Sequence, residues 1–88
     1  MEKKAKIFVV DDEPEFLLAL QRALEAESLD VTTARTRAEA QERIITKEPD
    51  IVILGTLTPG REAGSLHRWM KQNAITKEMP IVVIDAPL

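Results

Sequence analysis

The chain has 88 residues, of which 44% are apolar and 31% charged, with a net charge of −3 and no cysteine. That composition fits one small globular domain, excludes disulfides and thiolate metal sites, and argues against a nucleic-acid surface, which shows a concentrated basic stripe. No apolar run nears the roughly 18–20 residues of a membrane span, and Ile7 to Val10, following Lys3, Lys4 and Lys6, is too short for a signal-peptide core. The expected location is the cytoplasm.

Ile7 to Val10 is a β-branched and aromatic run, which predicts a buried strand. Pro14 suits the first turn of a helix, where its missing N–H costs nothing. Leu17, Leu20 and Leu24 recur at helical spacing and predict a helix through about Ser28. Val31 to Ala34 gives a second, weaker strand. Thr36 followed by Glu39 is a capping-box pattern, opening a helix that carries Ala40 and Ile44 on one face and runs to about Glu48, before Pro49. Ile51 to Leu54 is an uninterrupted apolar run, as expected for a central strand covered on both faces. Thr58, Pro59 and Gly60 form a loop. A third helix from about Glu62 to Ala74 presents Leu66, Trp69, Met70 and Asn73 at helical spacing. Ile81 to Ile84 is a fourth strand.

The order βαβαβαβ implies a parallel sheet, in which ligands sit beyond the carboxyl ends of the strands. Asp11, Asp12, Gly55 and Asp85 all fall at those ends. Adjacent carboxylates there suit a hard divalent cation, which prefers oxygen ligands. The same pair would equally serve to cap the first helix, whose N-terminus favours negative charge. The spacing leaves both readings open.

Two segments carry a family likeness: IFVVDDEPEF (Ile7 to Phe16) and PDIVILGTLTPG (Pro49 to Gly60). They resemble the receiver domain of bacterial response regulators, the CheY-like domain of two-component systems. The resemblance implies an α/β, flavodoxin-like doubly wound parallel sheet. It makes residues 1–88 a single receiver-like domain that is incomplete at the C-terminus, lacking the last helix, strand and helix.

The resemblance also implies roles. Asp12 would coordinate Mg²⁺ directly, Asp11 would act mainly through water, and the backbone carbonyl of Leu57 would be a further ligand. The position that normally carries the phosphoryl-accepting aspartate is Gly55, which has no nucleophile, so phosphorylation at the usual position is chemically impossible. Asp85 stands where the family carries Thr or Ser, and the family's lysine would lie beyond Leu88. Removing one of three clustered carboxylates relieves repulsion on the order of 1–4 kcal/mol in a partly buried site, and it weakens Mg²⁺ affinity. Asp85 is either a solvated loop residue or a replacement for the missing acid.

The expected function is therefore that of a degenerate receiver in phosphorelay signalling, not an enzyme, which works through contacts with a kinase or effector. No direct nucleic-acid or membrane partner is expected. Either these residues are part of a longer chain or the chain ends here. If it ends at Leu88, the apolar last strand calls for cover, by a homodimer or by exchange of elements between chains. The alternative is a divalent-metal-binding domain that accepts a phosphoryl group on Asp85 or Asp12. A flavodoxin-like nucleotide binder ranks last, because acids stand where a glycine-rich phosphate loop would be needed.

Overall fold

The computed structural model describes residues 4–55 and 62–84. Four strands alternate with three helices: β1 (Lys6–Val10), α1 (Pro14–Glu25), β2 (Asp30–Ala34), α2 (Arg37–Lys47), β3 (Ile51–Leu54), α3 (Glu62–Gln72) and β4 (Ile81–Val83). All strand pairs are parallel, in the order β2-β1-β3-β4. Val10 is level with Ala34 on one side and Leu54 on the other, and Leu54 is level with Val83. The carboxyl ends of the four strands therefore form one rim.

Successive side chains of a strand point to opposite faces of a sheet. Phe8 and Val10 join Val52 and Leu54 on one face, beneath Ala40 and Ile44 of α2 and Leu66 and Met70 of α3. Val9 and Val31 lie on the other face, beneath Leu17, Leu20 and Leu24 of α1. Trp69 packs partly buried against the first cluster. Phe8, Val9 and Val10 are all fully buried, as an apolar strand between two helical layers requires.

The expectation of full cover for β3 holds on one face only. Val52 and Leu54 are buried, while Ile51 and Ile53 are only partly so. The reason is the placement of α1, which packs on β1 and β2. On β4 the shortfall is larger: Val82 and Val83 are 47% and 51% exposed.

The helix ends are set by local bonding. α1 stops at Glu25, short of the expected Ser28, because the chain closes into a left-handed turn. The Ser28 N–H donates to the Glu25 carbonyl (2.9 Å) and the Leu29 N–H to the Leu24 carbonyl (3.3 Å), with Ser28 at φ 65°. This is the Schellman pattern, and Leu24 and Leu29 both belong to the α1-side apolar cluster. α2 opens on Thr36, whose hydroxyl accepts from the Glu39 N–H (3.1 Å), while the Glu39 carboxylate accepts from the Arg35 N–H (2.9 Å). The box thus closes one residue upstream of its usual partner. Glu48, in the left-handed conformation at φ 48°, ends α2 before Pro49.

α3 ends at Gln72, so Asn73 leaves the expected helical face. Its side-chain oxygen instead accepts from the Ile75 N–H (2.9 Å). The buried Thr76 then ties the turn back to the helix, donating its hydroxyl to the Met70 carbonyl (2.7 Å). β1 and β2 each begin one residue earlier than the apolar pattern, at Lys6 and Asp30, and β4 stops at Val83. The loop expected at Thr58, Pro59 and Gly60 lies outside the described residues.

Ser28 occupies a backbone position that disfavours side chains by about 1–2 kcal/mol, against an unfolded-state cost for glycine of about 0.5–1 kcal/mol. Ser28→Gly is expected to stabilise the fold by up to about 1 kcal/mol in urea denaturation, whereas Thr36→Ala, which loses its cap, should cost about 1 kcal/mol.

Candidate functional site

The strand order makes the site. β1 is followed in the chain by β2 on one side, while β3 pairs with its other side, so the topological switch point lies between β1 and β3. In open parallel sheets this is where the loops part and leave a crevice. Asp11 and Gly55 are the first residues beyond β1 and β3, and both remain tied to the sheet. The Asp11 N–H donates to the Ala34 carbonyl (3.1 Å), and the Gly55 N–H donates to the Val10 carbonyl (2.7 Å).

The Asp11 carboxylate is nearly buried, at 6% exposure. Its Oδ1 accepts from the Glu13 N–H at 2.8 Å. Its Oδ2 stands where a side chain on Gly55 would begin. A β-carbon built on Gly55 would stand 3.0 Å from Asp11 Cγ and 3.1 Å from the Val10 carbonyl oxygen, and closer still to Asp11 Oδ2. Gly55 does not have a positive φ, so glycine is needed here for space and not for backbone freedom.

Asp12 belongs to a different surface. It lines an open groove of about 400 Å³ with Arg35, Thr36 and Glu39, at the carboxyl end of β2. The two adjacent aspartates therefore divide their tasks, one turned to the β1–β3 junction and the other to the β1–β2 side. Neither aspartate is the cap of α1. The N-cap of α1 is Glu13, whose carboxylate accepts from the Glu15 N–H (3.4 Å), and Asp11 holds the N–H of that cap residue. Arg35 was not singled out by any sequence pattern. Its signal is positional, as the first residue past β2. Thr36 and Glu39 were legible only as a helix cap.

The four expected metal-site residues do not all enter this geometry. Leu57 and Asp85 lie outside the described residues, and among the described residues no three acidic, histidine or cysteine side chains gather in a way that could hold a metal ion. Asp11 and Asp12 by themselves fall short of a metal centre. Mg²⁺ demands a near-octahedral oxygen shell, and where a protein gives it only one or two carboxylates, water and substrate oxygens make up the rest.

Comparison with known proteins accords with the crevice and its strand order. A family model described as the response regulator receiver domain matches residues 7–86. The chain belongs to the response regulator receiver domain family. This is the receiver class of two-component signalling. Among curated relatives, the phosphate regulon transcriptional regulatory protein PhoB of Rhizobium meliloti is 36% identical over 81 residues, which is 92% of this chain and 36% of that protein. The receiver-like chain thus spans about a third of the length of the curated relatives it matches. Among solved structures, the N-terminal domain of a response regulator receiver protein from Methanoculleus marisnigri JR1 superposes with a TM-score of 0.85 at 25% identity, covering 94% of this chain and 68% of that one. A putative response regulator from Chloroflexus aurantiacus gives 0.84 at 28% identity, covering 92% and 66%. The flavodoxin-like parallel architecture expected from the sequence is the one observed.

The contribution of each acid to cation binding is open to direct measurement. In calorimetric titration with Mg²⁺, the chain is expected to bind weakly, Asp12→Ala to abolish the signal, and Asp85→Ala to leave it unchanged. A loss of affinity in Asp85→Ala would instead make that residue the substitute ligand.

Proposed function

We propose that this chain is a degenerate receiver module of phosphorelay signalling that works through protein contacts, without phosphorylation at position 55 and without enzymatic activity of its own. The observation that carries this reading is the occupancy of the switch point. The position of the usual acceptor has no side chain, and the space beside it is filled by the Asp11 carboxylate. A phosphoryl group needs an oxygen nucleophile to form its ester and a positive environment to offset charge on the transferring oxygens. Gly55 offers neither. The module would then hold one conformation, or take the one its partner selects. Such a partner, a kinase or an effector, and a cytoplasmic setting follow by analogy with the family.

The exposed valines of β4 supply the contact surface. Val82 continues the incompletely covered face that includes Ile53, and Val83 lies on the opposite face, so the edge strand is apolar on both sides. Unshielded apolar edges associate. For the 88-residue chain we place a second copy there, as a homodimer or an element-swapped dimer. Sedimentation at micromolar concentration should show a dimer that Val82→Lys dissociates. A well-behaved monomer would remove the dimer.

One observation favours a second reading, in which the domain still accepts a phosphoryl group with the help of a weakly bound Mg²⁺. Asp12 lines an open groove, and its position leaves it nearer to solvent than Asp11. Asp85 is the other candidate acceptor. Incubation with acetyl phosphate and Mg²⁺ followed by intact-mass measurement separates the two readings. The contact reading predicts an unchanged mass. An adduct of about 80 daltons that is lost in Asp12→Ala or Asp85→Ala would establish the second.

A further inference from the structure

The carboxylate of Asp11 is held at both ends. One oxygen takes the Glu13 N–H at the start of α1, and the other stands where a side chain on Gly55, at the end of β3, would begin. The side chain is almost inaccessible to solvent, and no buried side-chain polar atom among the described residues lacks a hydrogen-bond partner. A short side chain in this position has little room to give way. Its Cγ, and not only its terminal oxygen, falls within 3.0 Å of where a β-carbon on residue 55 would stand. On the other side the Val10 carbonyl, fixed by its bond from the Gly55 N–H, closes off a retreat of the backbone.

We propose that Asp11 is a latch that fills the side-chain space at position 55 and, through the Glu13 N–H, couples that space to the first turn of α1. Nothing larger than hydrogen can sit on residue 55 while Asp11 keeps this rotamer. Any group that takes the space must turn the carboxylate out, and turning it out releases the Glu13 N–H. Glu13 is the N-cap of α1, and Leu17, one turn further on, is buried in the α1-side core. Filling the switch point and loosening the start of α1 are therefore a single event. This inference concerns the packing of two residues and stands apart from the signalling reading, which survives if the latch is disproved.

A double-mutant cycle tests it. At a strand end without positive φ, exchanging glycine for alanine is ordinarily neutral or mildly stabilising. Here Gly55→Ala is expected to lower the folding equilibrium constant about tenfold or more, as overpacking of a closed site does. In an Asp11→Ala background the same exchange should cost less than about twofold, since of the three nearest atoms only the Val10 carbonyl oxygen, at 3.1 Å, remains. Equal effects of Gly55→Ala in both backgrounds would overturn the latch. Amide hydrogen exchange gives a second readout. Gly55→Ala should speed exchange at Glu13 about tenfold or more, relative to the amides of α2, because the released N–H loses its acceptor. An unchanged Glu13 rate in a folded Gly55→Ala protein would also overturn the proposal. If Gly55→Ala alone does not fold, its recovery by Asp11→Ala reports the same coupling, and failure to fold in both backgrounds contradicts it.

Discussion

The close approach of β1 and β3 at their carboxyl ends is the constraint on which the site depends. The Gly55 N–H reaches the Val10 carbonyl at 2.7 Å, a short bond that draws the two strand ends together where the chain directions part. With the strands this near, the first residue past β1 projects onto the first residue past β3. In the rotamer that Asp11 adopts, its carboxylate stands where a side chain on residue 55 would begin. The absence of an acceptor and the seating of Asp11 are then two sides of one packing solution, and the acid serves the fold by holding the backbone of the helix that follows.

The same sheet explains the surfaces. A parallel sheet is stable when both faces are covered. Here α2 and α3 cover one face from Phe8 to Leu54, whereas α1 covers the other only over β1 and β2. The cover runs out towards β4, leaving Ile53 partly buried and the valines of β4 exposed. The chemistry of the rim and the stickiness of the edge lie on different strands. The proposed contact through β4 would therefore leave the groove lined by Asp12 open.

Much of this was legible in the residues. Uninterrupted apolar runs gave β1 and β3, helical spacing of leucines gave α1, and Thr36 with Glu39 marked the start of α2, because each signal acts within a few residues of chain. The limits of the reading are equally physical. Nothing in the spacing announces that Ser28 adopts a left-handed turn, since serine carries no special preference for it, and so the leucine periodicity points past the true end of α1 at Glu25. Asn73 fitted a helical face by spacing, but its side chain bonds the backbone two residues on and helps end the helix, as asparagine commonly does. Spacing alone does not tell Asp11 from Asp12, and the family resemblance parts them only as water-mediated and direct metal ligands. Their separation into a buried group and a groove-lining one arises from the different strands on either side of β1, a tertiary fact. Gly55 was visible as a missing nucleophile, while its role as space for Asp11 required the packed structure.

A switch point already filled by Asp11, and so closed to a phosphoryl group, is what we propose. Its most direct test is a pair of ¹H–¹⁵N spectra of the chain, recorded with Mg²⁺ alone and with Mg²⁺ plus acetyl phosphate. The amide signals of Asp11, Glu13 and Gly55 should coincide in the two spectra. A new set of signals at these three residues, growing with time after addition of the phosphodonor and decaying as the donor is exhausted, would show a working acceptor in the crevice and contradict the account.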